Sequence, residues 1–186
     1  MSVQVKGTIL IDLVKQVRAE KDRNWDEYLT AEDMDLVNGE VLTSSWYPED
    51  FFYRLSMAVY KVIGQSSLEA CFAYGQLTAH NMVEIYKNLV APGDPATTIE
   101  RFVKRRQSFF STDYQDSEKN QVERGENRIT LHSVADPSIR GQEIEEVINH
   151  SLLGILYELA VIAGSQQVRS DITKKDDGHD LTVIWG

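Results

Sequence analysis

Residues able to carry out acid–base or metal chemistry are few in this chain and widely spaced. The four histidines occur singly, as His80, His132, His150 and His179, and the one cysteine is Cys71. A zinc or iron site would need these side chains to converge through folding, because none of them stands at the close spacing of a metal-binding motif. We therefore expect no metal site.

The signatures of common enzyme families are also missing. The sequence has no glycine-rich phosphate loop, no nucleophile elbow, no His-Glu-x-x-His pair and no paired cysteines. A thiol such as that of Cys71 becomes a nucleophile only when a base or a helix start lowers its pKa. Since no such base is visible in the sequence, we predict that Cys71 packs in the interior and that the protein is not an enzyme and has no cofactor.

Two segments concentrate groups that could bind a ligand. The run 176–180, Asp-Asp-Gly-His-Asp, is rich in metal-ligating side chains, but aspartate and glycine are also what a hairpin turn requires, and we interpret it as a turn. In Asn149-His150-Ser151, His150 could face a pocket and ligate a haem, or lie on a helix flank. His80 could likewise be a ligand or a half-buried, hydrogen-bonded residue. For both histidines we favour the second role.

One basic cluster occurs in an otherwise acidic chain. Lys104, Arg105 and Arg106 are consecutive, and Arg101 precedes them by about one helical turn. Such a cluster is either a solvated helix face or a docking site for an acidic partner or an anion. These four residues are our candidate partner-docking residues.

Aromatic residues are concentrated in the first part of the chain. Trp and Tyr side chains combine a large apolar body with a polar tip, and beside a proline turn they often anchor a helix entrance to the core. If this part of the chain encloses a cavity, the same side chains would give it an apolar lining with polar tips. The candidate pocket residues are Trp46, Tyr47, Phe72, Tyr74 and Phe109.

Helical periodicity predicts that the first half of the chain is mainly helical. Apolar side chains recur there at three- and four-residue steps, as on one face of an α-helix. Helices are predicted over residues 8–21, 31–37, 48–63, 68–89 and 97–110. In the fourth of these, Gly75 and Ala79 lie on the apolar stripe, which indicates close packing against another element.

Short motifs predict where these helices begin. Ser66 with Glu69 and Thr97 with Glu100 match the capping-box pattern, in which a hydroxyl and a carboxylate satisfy each other's backbone amides. Pro48 has the preset φ of a first helical turn, so Ser45-Trp46-Tyr47-Pro48 is interpreted as a helix entrance.

The second half is predicted to contain two hairpins separated by a long helix. One hairpin joins residues 121–124 to 128–134, and the other joins 167–173 to 179–185. The segment 141–163 has the strongest helical stripe in the chain, and Gly164 follows it. Such runs of helix and strand favour an α+β fold, with an antiparallel sheet of about four strands packed on the long helix through Ile129, Leu131, Leu181 and Val183.

Length and charge limit the number of domains and the partners. A chain of 186 residues that is 42% hydrophobic should form a single domain, 1–186, with a mainly helical half at 1–112 and a hairpin–long helix–hairpin half at 113–186. The net charge of −10 argues against nucleic acid as a partner. Short apolar runs and a lone cysteine predict a cytoplasmic protein without membrane insertion.

Several short segments resemble a known family. Lys6-Gly7-Thr8-Ile9-Leu10, Ser45-Trp46-Tyr47-Pro48, Gly75 and Val183-Ile184-Trp185 occur in the order found in an uncharacterised paralogous family abundant in myxobacteria and related bacteria. That family looks like a distant relative of the haem-nitric-oxide-binding and 4-vinyl-reductase-type sensor domains. The resemblance implies helices first, an α/β half with a C-terminal strand pair last, and a sensory or regulatory role.

The resemblance also implies two functional alternatives. The Tyr-x-Ser-x-Arg signature with which haem-binding gas sensors hold the haem propionates is absent from the sequence. Our first prediction is therefore a non-enzymatic bacterial regulatory or sensory module that binds a protein partner or a second copy of itself, with or without an apolar small molecule. The alternative is a haem-dependent gas sensor of the haem-nitric-oxide-binding type that uses His80 or His150.

Overall fold

The structure, a computed structural model, describes residues 3–111, 120–134 and 136–186. The expected α+β class is confirmed, with helices first and a four-stranded antiparallel sheet in the C-terminal part. The chain forms two compact units, one from Met1–Ser67 and Gln107–Gln115 and the other from Leu68–Arg106 and Asp116–Gly186. The expectation of a single domain stays a prediction.

The first unit contains short helices and a small sheet. Along the chain these elements are β1 (Gln4–Lys6), a 3-10 turn (Gly7–Ile9), α1 (Ile11–Ala19), α2 (Ala31–Asn38), β2 (Trp46–Pro48) and α3 (Glu49–Val62). The predicted helix over 8–21 is thus divided, because the turn at Gly7–Ile9 precedes the regular helix.

The pairing of β1 with β2 is the main feature of the first unit that periodicity did not predict. The strands are antiparallel, with Val5 opposite Tyr47. β1 is also hydrogen-bonded to the segment that follows α5, because the Lys6 amide donates to the Phe109 carbonyl over 2.8 Å. Trp46-Tyr47-Pro48 is therefore both a strand and, as predicted, the entrance to α3. Pro48 is the N-cap of α3, one position before the first helical turn in which the sequence placed it.

An ion pair between a buried aspartate and a partly exposed arginine joins α2 to α3. Arg54 makes two parallel hydrogen bonds to Asp33, with Nε 2.7 Å from Oδ2 and a terminal nitrogen 2.8 Å from Oδ1. Asp33 also forms a capping box with Thr30 at the start of α2. Burial opposes ionisation of Asp33, but the bonds from Arg54 and Thr30 outweigh it and hold the pKa of this carboxyl below its usual value.

The second unit contains the longer helices and the large sheet. Its elements are α4 (Leu68–Ile85), α5 (Pro95–Gln107), β3 (Asn120–Arg124), β4 (Arg128–Val134), α6 (Glu143–Ile162), β5 (Arg169–Lys174) and β6 (Gly178–Ile184). The strand order is β3-β4-β6-β5, and all pairs are antiparallel. The long helix α6 packs against β6 of the sheet, as expected, and also against β5. The inward-facing side chains Ile129, Leu131, Leu181 and Val183 are fully buried.

Helices α4 and α6 pack with their backbones in contact, and two glycines make this possible. A Cβ atom on Gly75 would lie 1.9 Å from the carbonyl oxygen of Ser151, and one on Gly154 would lie 2.1 Å from the carbonyl oxygen of Phe72. The close packing predicted from Gly75 is therefore confirmed. The glycine on α6 makes the reciprocal contact.

Both predicted capping boxes are wrong. Ser66 has a φ of 59° and lies in the turn before α4, which begins at Leu68. Helix α5 begins at Pro95, and its amide at Thr97 is capped by the Asp94 carboxylate at 2.9 Å. Asp94 followed by proline at the first helical position is the stronger start signal, because proline has no amide that needs a partner.

Helix α4 ends at Ile85, before the predicted position of Leu89. None of the helices in the described ranges is long and apolar enough to cross a bilayer.

Candidate functional site

The first half of α6 combines the apolar stripe of a core helix with buried polar groups. Glu145 and Asn149 are one turn apart and both are buried, on the same side as Leu152 and Leu156. The helix starts after Gly141, whose φ is 74°, and carries acidic residues in its first turn, where the helix dipole favours negative charge. Polar residues buried at core positions require partners from a neighbouring element.

His179, at the start of β6, supplies those partners. Its imidazole is almost completely buried, with Nδ1 3.1 Å from Oε1 of Glu145 and Nε2 3.2 Å from Oε1 of Glu146. The Asn149 amide nitrogen donates to the Glu145 carbonyl and lies 3.2 Å from the same Nδ1. The buried Oδ1 of Asn149 has no hydrogen-bond partner among the described residues. These four residues form a polar joint between α6 and β6.

His150 follows this joint directly and lies on the flank of α6. Its Nδ1 donates to the Glu146 carbonyl over 2.9 Å, and its side chain is 20% exposed. A proton held on Nδ1 leaves the lone pair on Nε2, which is the tautomer of a metal-ligating or proton-accepting imidazole. Nε2 of His150 has no hydrogen-bond partner in the described part of the chain.

His80 and His132 contact carboxylates. Nε2 of His80 is 2.9 Å from Glu158 on α6, and its side chain is 57% exposed rather than half buried. Both ring nitrogens of His132 face carboxylates. Within the described ranges, no group of three or more histidine, cysteine or acidic side chains is arranged to hold a metal ion.

Cys71 is in the interior, as predicted. It lies on α4 and hydrogen-bonds with Ser151 on α6. Burial raises the pKa of this thiol to about 11, so the reactive thiolate is scarce at neutral pH.

The five candidate pocket residues are divided between the two units. In the first unit, Trp46 is 42% exposed with the Lys6 ammonium over its ring, and the Tyr47 hydroxyl accepts a hydrogen bond from the Leu42 amide. Phe109 is buried there. The shared ligand pocket stays a prediction.

In the second unit, Phe72 packs edge-on against Tyr157, with 5.4 Å between ring centroids, so it joins α4 to α6. Tyr74 lies on the same helix as Phe72 and is partly exposed, and its backbone carbonyl accepts a bond from Thr78.

The basic cluster on α5 is partly used within the second unit. The Arg101 guanidinium donates to the carbonyls of Asn88 and Val90, just after α4, and the Arg105 guanidinium lies 4.8 Å from the ring centroid of Tyr86. Lys104 is exposed and Arg106 is partly exposed. Docking of an acidic partner on these residues stays a prediction.

No family model and no curated protein matches the chain in sequence. Solved structures do match it along almost its full length. A mutant of the T. tengcongensis H-NOX protein has a TM-score of 0.60 and 13% identity, and the match covers 96% of this chain and 94% of that one. The Fe(II) unliganded H-NOX protein from K. algicida has a TM-score of 0.59 and 15% identity, with 97% and 96% covered.

This chain has the H-NOX fold. A third structure, from work on haem distortion in the H-NOX family, has a TM-score of 0.62 and 12% identity. The likeness agrees with the predicted resemblance to haem-nitric-oxide-binding domains. At such low sequence identity, the likeness establishes the fold of this chain and does not establish its function.

The described side chains can be tested against the haem that the H-NOX fold implies. An axial histidine needs one nitrogen held by a backbone or carboxylate acceptor and the other available to the iron. His150 meets this requirement, and so does His80, whose Nε2 faces the Glu158 carboxylate, but the His80 side chain is 57% exposed whereas that of His150 is 20% exposed. Both nitrogens of His132 and both nitrogens of His179 face other side chains. The donor chemistry of His150 therefore fits an axial ligand.

Sequence reasoning named His150 but missed the joint beside it. Glu145, Glu146 and Asn149 were not among the candidate residues. A usable signal existed, because Glu145 and Asn149 interrupt the apolar stripe of segment 141–163 on its most buried side. Nothing in the local sequence connects them to His179, which comes from the last strand.

Proposed function

We propose that this chain is a sensor domain of the H-NOX fold and that it binds haem with His150 as the axial ligand. We thus favour the haem-dependent alternative over our first prediction, which was a non-enzymatic regulatory module that binds a protein partner. The observation that carries it is the likeness to H-NOX structures over 96% or more of this chain and about 94% of theirs or more. The role as a sensor rather than an enzyme, the cytoplasmic location and membership of the myxobacterial family belong to the same proposal.

The hydrogen bond at Nδ1 supports the choice of His150. Donation to the Glu146 carbonyl holds the ring in one orientation and leaves the lone pair of the neutral imidazole on Nε2. A bound haem would supply an iron centre that takes up a diatomic gas. The protein's part is to hold the imidazole ring in that orientation on a rigid helix.

Glu146 connects His150 to the sheet. Its carbonyl accepts from His150, while its carboxylate lies 3.2 Å from Nε2 of His179 on β6. A displacement of His150 would therefore disturb the joint between α6 and β6. This connection supports a sensory role, because a sensor must transmit a change at the ligand to another element.

Haem reconstitution of the full chain tests the proposal. We expect purified protein mixed with haemin to develop a Soret band at one equivalent, and His150→Ala to lose or strongly shift the band. Added imidazole should restore the original band in His150→Ala, since it replaces the missing ligand. His80→Ala is the matched control and should leave the band unchanged. Wild-type protein without a Soret band, or an unchanged band in His150→Ala, would contradict the proposal.

A haem-independent regulatory module is the second candidate. It is favoured by two apolar side chains on α4, Leu77 and Ile85, which are 56% and 60% exposed. In this alternative they contact a second copy of the chain or another protein. Native mass spectrometry of protein from its own host would report oligomeric state and retained ligand together. A dimer without haem that Leu77→Glu converts to monomer would support this candidate over the first.

A further inference from the structure

A histidine lies between two aspartates on the polar face of the sheet. Along β4, Ile129, Leu131 and Ser133 are buried, and the alternate residue His132 is on the opposite face. Its Nδ1 is 2.7 Å from Oδ1 of Asp180 on β6. Its Nε2 is 3.3 Å from Oδ1 of Asp177 in the turn between β5 and β6.

The two nitrogens make this arrangement depend on a proton. A neutral imidazole has one N–H donor and one lone pair, so it can donate to only one of the two carboxylates. Its lone pair would then face the other carboxylate, which repels it. The imidazolium has two N–H donors and a positive charge, and it can bind both.

Other charges on this face support the same arrangement. Lys175, in the turn, lies 3.1 Å from the second oxygen of Asp180. On β3, Gln121 is opposite His132, and Glu123 lies further along the strand, 3.8 Å from Arg128 of β4. On β5, Thr173 is opposite Asp180 and Asp171 is opposite Thr182. Among these described neighbours, the acidic groups next to the imidazole are Asp177 and Asp180.

We propose that His132 is a proton-operated clasp that holds the β5–β6 turn against β4 when the imidazole is protonated and releases it when the proton is lost. The turn has its own hydrogen bond, from the Lys175 amide to the Gly178 carbonyl over 2.8 Å, and this bond opens more often once the clasp is released. What changes is the attachment of Asp177 to β4. The clasp makes the attachment of the β5–β6 turn depend on pH, and this dependence does not require haem.

The direction of the pH effect follows from the charges. The hydrogen bond to Asp180, aided by Asp177 and opposed by burial, raises the pKa of His132 above its usual value. The clasp is therefore complete below the ordinary histidine pKa and is lost as pH rises through the raised value. In Asp180 burial opposes ionisation, but bonds from His132 and Lys175 lower the pKa, so this carboxylate loses its part only in strong acid.

Nuclear magnetic resonance of the full chain tests the clasp. The imidazole resonances of His132 give its titration midpoint, and amide exchange at Lys175, corrected for the intrinsic rate at each pH, gives the protection of the turn. We expect protection to fall about two- to fivefold as His132 loses its proton, the range of a partly exposed ion pair. Asp177→Asn should lower the midpoint and abolish the pH dependence of the protection.

A second histidine–carboxylate pair in the same unit provides the control. His80→Gln removes the pair with Glu158 and should leave both the midpoint of His132 and the protection of the turn unchanged. The proposal is overturned if Asp177→Asn and Asp180→Asn leave the midpoint of His132 where it is. It is also overturned if protection at Lys175 does not change across that titration. Asp177 is more than half exposed, so its replacement should not prevent folding.

Discussion

The two units use opposite means to hold helices together. In the second unit, α4 and α6 meet through bare backbone at Gly75 and Gly154, and charge is confined to the rim, where Glu158 binds Gln76 and His80. In the first unit, α2 and α3 are joined by an ion pair whose aspartate is almost completely buried. The α4–α6 contact depends on the absence of side chains at two glycines, and the α2–α3 contact depends on an ion pair.

This difference determines how each joint should respond to change. Backbone contact cannot adjust to added volume, because rigid carbonyl groups occupy the space. A buried ion pair tolerates changes of volume better but requires both partners, since a single buried charge is costly. The following variants test this contrast, beginning with the largest effect.

Adding a side chain between α4 and α6 should be the most damaging change. Gly75→Leu has to separate the helices or displace the Ser151 backbone, and we expect a loss of about 3 kcal/mol in the free energy of unfolding. Urea denaturation followed by circular dichroism measures it. Leu77→Ala, on the exposed side of α4, is the control and should change stability by less than about 0.5 kcal/mol. Equal stability of Gly75→Leu and wild type would show that the backbone contact is not rigid.

Removal of Arg54 should be the next most damaging change. Arg54→Met leaves the Asp33 carboxylate buried without its partner, and because Arg54 is itself 41% exposed we expect a loss of about 2 kcal/mol, below the range of fully buried pairs. Arg23→Met, which breaks an exposed pair with Glu20, is the control and should change stability by less than about 0.5 kcal/mol.

The loss in Arg54→Met should depend on pH in a defined direction. The pKa of Asp33 is lowered in the folded state, so its contribution is present above the ordinary aspartate pKa and disappears as pH falls through the lowered value. The stability difference between Arg54→Met and wild type should therefore be largest near neutral pH and shrink in acid. A constant difference across this range would mean that packing rather than charge is lost.

The rim charge of the α4–α6 pair should matter least. Glu158→Ala removes the contacts to Gln76 and to the exposed His80, and we expect a loss of about 0.5 kcal/mol in the free energy of unfolding. Thermal unfolding of this variant beside Gly75→Leu measures the contrast on one helix pair. A loss of stability in Glu158→Ala as large as that in Arg54→Met would mean that the α4–α6 contact depends on charge as much as the α2–α3 contact does.

The long periodic elements could be predicted from the sequence because their signal is local. The apolar stripe of segment 141–163 and the glycine within the stripe of α4 indicate two long helices, and close packing of the second, from neighbouring residues alone. The hairpins were visible for the same reason, since each turn lies between its two strands.

The features that were missed depend on contacts between distant segments. The pairing of β1 with β2 is one of these features, because strands of three residues are too short to show an alternating pattern and the two are brought together only by the fold. The predicted helix over 97–110 omitted its true start, because aspartate before proline marks a helix start without any apolar periodicity. The partnership of Glu145 with His179 could not be predicted, because it unites a helix with the last strand of the sheet.

The reciprocal contact of Gly75 and Gly154 also restricts how the domain can move. A slide of α4 along α6 by one residue, about 1.5 Å, would bring a side chain into a space that fits only a hydrogen atom. Relative translation is thus blocked in both directions, and the two helices can be displaced only together. A displacement of either helix is therefore a rigid-body motion of the pair.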